Sequence, residues 1–369
     1  MQETFFELIQ VALGVRQCLS HTPRAGEWGK LYDMAKKQSL VGVCFAGVQR
    51  LVEQRQDPPE MLYLTWMGMA AKIQQRNETV NRQCVELQAK LSADGLKSCV
   101  LKGQGNAVLY GLSLCMLRQS GDIDVWVDAS RKEIIEHVQK VAPTTNVREH
   151  HLELEAFPDT STGSAQATEV EVHYWPAVIR HSRKNARLQK WFDGKREEQF
   201  CHRVKIGGQD VCVPTPEFNA IQQMAHMYHH LFDGGVGLRQ VLDYYFVLQN
   251  LDVEKCKDDL ASAMNHIGMG RFASAMMWVL HEVMGLEEGR MIVAPNEEDG
   301  RFLLDEIMRG GNFGKYDDKQ TRDSSHYLSS FLGGVLWNFR FLRFNPFDWF
   351  WSPLWRVYYF AWRKMNGYH

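Results

Sequence analysis

The chain has 369 residues, 45% of them hydrophobic and 23% charged, with a formal net charge of −2. That length exceeds one typical domain, and the composition is that of an ordinary globular protein with ample apolar material for a core. Near-neutral charge argues against a strongly electrostatic nucleic-acid binder, although a local basic patch is compatible with it.

Residues 1–96 read as helical throughout. Phe5, Ile9 and Leu13 recur at helical spacing, and residues 27–37 and 41–51 repeat the pattern on either side of Gln38-Ser39. Pro58-Pro59 opens a long helix to about Leu91, and Asp94-Gly95 ends it. The opening MQETFFELIQ lacks the basic start of a secretory leader. No stretch reaches the roughly 18 uninterrupted apolar residues of a spanning helix. The eight cysteines form no C-x-x-C pair, and most lie in apolar runs. They read as reduced, buried thiols, so a cytoplasmic protein is expected.

Next comes a strand closing at Val100 to Lys102, a turn with Gly103 and Gly105, and a helix over 104–110. Glycines there let the backbone approach a phosphate, and a helix start offers free N–H groups to it. The segment Gly121-Asp122-Ile123-Asp124-Val125-Trp126-Val127 predicts a strand. Alternation places Asp122 and Asp124 on one face and Ile123 and Val125 on the other, buried one. Aspartate disfavours strands, so two at this spacing require a reason. Paired carboxylates repel unless a cation lies between them, and oxygen ligands suit Mg²⁺, with Mn²⁺ as the alternative. Residues 131–141 predict a helix, and residues 147–154 a strand. In a further strand, 167–174, Glu169, Glu171 and His173 share a face, with Thr160 to Gly163 a turn before it. Glu171 then becomes the expected third acid, with Glu169 its substitute after a register shift and a surface glutamate the plainer reading. His173 orients a carboxylate or caps the strand. Lys102 is a phosphate contact or a snorkelling strand-end lysine. Arg118 pairs with a phosphate or with one of the aspartates.

Strand, glycine turn, helix, Asp-x-Asp strand and a later strand with one acid resemble the DNA polymerase β-type nucleotidyltransferase superfamily. More narrowly, LKGQGNAVLY, then RQSGDIDVWV, then VEVHYW is similar to a largely uncharacterised bacterial nucleotidyltransferase family bearing Leu-Lys-Gly, Arg-x-x-Gly-Asp-Ile-Asp and Glu-x-His in that order. Where the superfamily has a Gly-Gly or Gly-Ser turn, this chain has Gly103-Gln104. The resemblance implies Asp122, Asp124 and Glu171 as metal-binding catalytic acids. It implies Lys102, Gly103, Gln104, Gly105 and Arg118 as the nucleotide-binding set, with an NTP as substrate. Histidines on a later helix also belong to the pattern. His226 and His230, spaced i, i+4, keep a cleft role open beside the plainer reading of a polar helix face.

The remainder predicts a hairpin at 200–213 around Gly207-Gly208, then helices at 218–231, 238–248, 253–267 and 270–284. Arg239 and Asp243 read as a helix ion pair. Asn296 to Arg301 reads as a polar segment between helices, and Lys315 to Ser325 as a charged, mobile one. The tail, 327–369, holds five of the eleven tryptophans with Arg340, Arg343, Arg356 and Arg363. It is expected to be a helical cap packed on the core; a peripheral membrane contact is the sharper alternative, and stacking on nucleic acid a weaker one.

The expected fold is α+β: a small mixed-sheet nucleotidyltransferase core at 97–213, between a helical region at 1–96 and a helical domain at 214–369. The expected function is Mg²⁺-dependent transfer of an NMP from an NTP to a hydroxyl of a sugar, small molecule or protein, with nucleic acid disfavoured. The alternative is a non-catalytic module that retains the fold and binds a nucleotide or partner.

Overall fold

The computed structural model describes residues 1–141, 146–157, 168–232, 234–312, 339–342 and 346–365. The expected turn at Thr160 to Gly163 and the charged segment from Lys315 to Ser325 lie outside these residues.

Four helices lead in: α1 (Gln2–Leu13), α2 (Ala25–Lys37), α3 (Val41–Glu53) and α4 (Glu60–Ala93). Pro59 precedes the first residue of α4, and Gly95 at φ 78° releases the chain just after it. The sheet strands are β1 (Ser98–Leu101), β2 (Ile123–Val127), β3 (Asn146–Val147), β4 (His151–Phe157) and β5 (Thr168–His173). Between them run α5 (Lys102–Ala107), short helical turns from Val108 to Leu117, and α6 (Arg131–Val141). The stretch 147–154, expected as one strand, is split. Arg148 N–H donates to the carbonyl of His151 at 2.9 Å and folds it into a hairpin.

Strand order is β1-β2-β5-β4-β3. Among the described residues β2 and β5 run parallel and the other strand pairs antiparallel. Alternation sorts the residues of this α+β sheet. Ile123, Val125, Val127, Leu152, Val170 and Val172 enter a core with Ile134 and Val138 of α6 and Val80, Cys84 and Leu87 of α4. The opposite face carries Trp126, stacked against Phe218 at 5.7 Å and packed on Phe200 at 4.6 Å. The acids lie beyond Trp126 on that same face.

A hairpin of β6 (Arg203–Ile206) and β7 (Gln209–Cys212) turns at Gly207 and Gly208, φ 56° and 81°. Positive φ at both centres is what a two-residue hairpin turn of type I′ demands. The helices α7 (Ser182–Asp193), α8 (Pro216–Leu231), α9 (Leu238–Gln249), α10 (Val253–Ile267), α11 (Gly270–Met284) and α12 (Glu297–Gly310) complete the packed body. Thr215 caps α8 by accepting from Phe218 N–H. The polar run 296–301 is no linker: Asn296 caps α12, and the acids 297–299 form its first turn, where the helix dipole favours them.

One apolar cluster joins α1, α3, α8, α9, α11 and α12, from Phe5 to Ile307. Five cysteines are buried, while Cys18 and Cys201 are exposed. Among the described residues no helix is long and apolar enough to cross a membrane.

The tail forms α13 (Pro346–Met365). Asp348 holds it down by accepting from Lys184 of α7 and from the Tyr228 hydroxyl of α8. Trp351 stacks on His181 at 4.9 Å. Trp355, Tyr359 and Trp362 form a stacked row with 5.0 and 5.7 Å spacings. Phe347, Phe350, Leu354, Val357, Tyr358 and Met365 face outward.

Candidate functional site

A cleft of about 380 Å³ opens between the polar face of the sheet and helices α8, α9 and α13. Its floor is built by register. Parallel pairing sets Asp124 of β2 directly opposite Glu171 of β5, and antiparallel pairing sets Glu171 opposite Glu153 of β4. Asp122 precedes β2 and lines the same cleft. Lys102, one residue after β1, enters from the other side, since Leu101 is the partner of Asp124. Its ammonium lies 2.5 Å from Asp124 Oδ1. Lys102 has φ 39°, which costs a non-glycine residue strain, and Gly103 follows at φ 38°. The sharp turn aims the lysine at the acids.

His173 ties the acids together. Its Nε2–H is 2.9 Å from Asp124 Oδ1 and 3.1 Å from Glu171 Oε2. Carboxylates only accept, so the proton sits on Nε2. His151, the cross-strand partner of His173, directs Nε2 to Glu153 Oε1 at 3.4 Å. Arg148 Nε donates to the same oxygen at 2.7 Å.

The electrostatics separate the three acids. Burial raises the Asp122 carboxyl, Asp124 and Glu171 add repulsion, and together they push it up to about 7. Burial would also raise Asp124, but Lys102 and the His173 hydrogen bond hold it far below the usual range. Burial raises Glu171 too, yet the His173 hydrogen bond brings it below its ordinary value. His173 is drawn up, against burial, by its bonds to Asp124 and Glu171. Burial opposes the charge on Lys102, and the three acids overcome it. Such a carboxylate cluster fits a hard divalent cation: Asp122, Asp124 and Glu171 offer oxygen ligands, and Asp124, Glu171 and His173 each bring a ligand atom within 4.8 Å of the others.

The remaining expected residues fall in two groups. Gly103 lines the cleft, as do His226 and His230 on α8, their rings 4.3 Å apart. Arg118 borders the cleft, but its guanidinium is buried and held bidentately by Asp243, with Nε and Nη2 each 2.7 Å from a carboxylate oxygen. The Tyr110 hydroxyl also donates to Asp243. Asp243, expected to pair with Arg239, thus gives both oxygens to Arg118, and Arg239 donates to the Gln119 carbonyl at 3.0 Å. Gln104 is turned into the protein, donating to Asn77 and Asn81. Gly105 has a packing reason, because a Cβ there would meet the Val100 carbonyl oxygen at 2.8 Å. Glu169 points to solvent.

Sequence reasoning missed Glu153, His150, His151 and the roofing residues Trp355 and Tyr359, all in the cleft wall. His151-Leu152-Glu153 is the mirror of Glu171-Val172-His173, and that repeated x-apolar-x pattern was the available signal. No local signal marks Trp355, because α13 reaches the cleft only through the tertiary fold.

The fold and site define a nucleotidyltransferase-type protein. The chain matches the model of a family described as "Uncharacterised nucleotidyltransferase" over residues 24–285, well over half its length, and belongs to that family. Among solved structures it is similar to an antigenic nucleotidyltransferase-like protein from Paracoccidioides brasiliensis, at 13% identity. That alignment covers 60% of this chain and 96% of the other, with a TM-score of 0.35. Comparison with curated proteins finds no match.

Proposed function

We propose that the protein transfers an NMP from an NTP to a hydroxyl of a small-molecule, sugar or protein acceptor, releasing pyrophosphate. The supporting observation is the in-register pairing of Asp124 with Glu171, beside Asp122 and Lys102, in one cleft. Asp122, Asp124 and Glu171 would hold Mg²⁺ or Mn²⁺, which when bound neutralises phosphate charge and favours in-line displacement. Lys102 and the Gly103 turn receive the triphosphate. The acceptor oxygen forms a bond to the α-phosphorus as the bond to pyrophosphate breaks, and the hydroxyl proton passes to Glu171. His173 keeps Asp124 and Glu171 oriented. Arg118 serves by fixing the cleft wall through Asp243 rather than by touching phosphate. Most of the acceleration comes from positioning and charge neutralisation.

The test is pyrophosphate release and label transfer from each NTP, with Mg²⁺ and a cell-derived acceptor pool. Wild type should label one acceptor class, and Asp122→Asn and Asp124→Asn should abolish labelling while the fold persists by circular dichroism. Undiminished labelling in either variant removes the reading. Calorimetry separates the alternative: metal-independent nucleotide binding without turnover would mark a binding module.

A further inference from the structure

The cleft wall carries a second cluster, of which the carboxylate chemistry uses only His173. His151 and His173 are partners across β4 and β5, and His150 sits in the turn before β4. Their rings crowd together, with centroids 4.4 Å (His150–His151), 5.1 Å (His151–His173) and 5.6 Å (His150–His173) apart. One ring nitrogen from each lies within 4.8 Å of the others.

Hydrogen bonding specifies what two of these rings can offer. His173 directs Nε2 to Asp124 and Glu171, and His151 directs Nε2 to Glu153. In the neutral tautomer that donates from Nε2, each keeps a lone pair on Nδ1. Both Nδ1 atoms are buried and meet no hydrogen-bond partner among the described residues, and the residues themselves are only 1% and 8% exposed. A buried acceptor without a donor is costly. An imidazole whose one nitrogen is held by a carboxylate while the other is unused is the usual state of a metal-binding histidine.

We propose that His150, His151 and His173 form a cation site distinct from the Asp122, Asp124 and Glu171 trio. Its occupant is a borderline transition cation of the zinc class, because neutral imidazoles suit Zn²⁺, Co²⁺ and Ni²⁺ and suit Mg²⁺ poorly. Three protein ligands leave a coordination position for water or an acceptor oxygen. Glu149, Glu153 and Glu171 in the same wall supply compensating negative charge. His173 belongs to both clusters, so occupancy here would steady its Nε2 on Asp124 and Glu171. The inference does not require nucleotidyl transfer.

The test uses the full chain, stripped with a chelator and titrated with Zn²⁺ and Co²⁺. Metal content and the Co²⁺ ligand-field spectrum are compared for wild type, Asp122→Asn and His150→Gln. Wild type and Asp122→Asn should both retain one cation per chain with the same Co²⁺ spectrum. His150→Gln should bind it at least about tenfold more weakly. Equal binding by His150→Gln, or loss in Asp122→Asn alone, overturns the proposal. X-ray absorption of the zinc-loaded wild type stands independently of any variant's folding: an imidazole-rich shell supports the site, and an all-oxygen shell refutes it.

Discussion

Asp122 and Asp124 stand two residues apart and experience opposite fields. Asp124 has Lys102 and His173 as partners, whereas Asp122 has chiefly burial and two negative neighbours. Their amide variants should therefore separate in stability although both lose turnover. Asp124→Asn takes from the Lys102 ammonium, only 13% exposed, its ion-paired partner while Glu171 and Asp122 remain as counter-charges, and should cost about 1–3 kcal/mol in urea unfolding. Asp122→Asn removes a carboxyl whose folded value lies above its ordinary 3.8, a group that disfavours folding once deprotonated. It should gain on wild type as pH rises from about 4 to about 7, read from the same unfolding curves. His226 has the reverse sense. Burial, Lys102 and three neighbouring histidines depress it well below 6.5, so below that pH the unfolded chain binds a proton that the folded one refuses. Stability should fall as pH drops from about 6.5. His226→Gln should flatten the slope by less than the one-proton limit of about 1.4 kcal/mol per pH unit, because the ring is partly open to the cleft. At this scale the acids were legible, since Asp-x-Asp and Glu-x-His advertise themselves in strands. The fates of Arg118 and Gln104 were not, because a guanidinium or amide gives no local sign of which buried partner it will meet.

Elements were legible where periodicity was long and punctuated. The helix ending at Asp94, the helix over Arg131–Val141, and the helices Val253–Ile267 and Gly270–Met284 follow the expected bounds to within a residue or two. The hairpin at Gly207-Gly208 follows because positive φ is a property of its own residues. The break at Arg148 to His150 and the capping role of Asn296 were not legible: a polar residue looks alike in a strand, a turn or a helix cap. Packing between elements is more exacting still. Gly42 of α3 lies against the turn Cys115–Leu117, and a Cβ there would sit 2.2 Å from the Leu117 carbonyl oxygen. Gly42→Ala should lower stability by about 1–3 kcal/mol or more by displacing the backbone that leads into Arg118. Gly68, exposed in α4 with nothing within 4 Å of a Cβ, is the control. Gly68→Ala should raise stability by about 0.4–1 kcal/mol in the same thermal melts.

Across the molecule, the buried Arg118–Asp243 pair joins the segment before β2 to α9, residues 125 apart in sequence. Replacing either partner leaves a charge buried and should cost about 3–5 kcal/mol. Arg118→Leu with Asp243→Leu should cost clearly less than the sum, and additivity by chemical unfolding would disprove the coupling. Placement of α13 is likewise a global matter, since Asp348 reaches Lys184 and Tyr228 while Trp355 and Tyr359 roof the cleft. Alternation along a strand follows from covalent geometry, so the same-face pairs Asp122 with Asp124 and Glu171 with His173 were legible before folding, as was a small sheet flanked by helices. The folded chain alone reveals that β2 and β5 pair in parallel with Asp124 opposite Glu171, that Arg118 belongs to Asp243, and that β4 and the turn before it add Glu153, His150 and His151 to the wall. Those choices depend on which distant segments bury together, a competition among apolar surfaces and charges that no local pattern encodes.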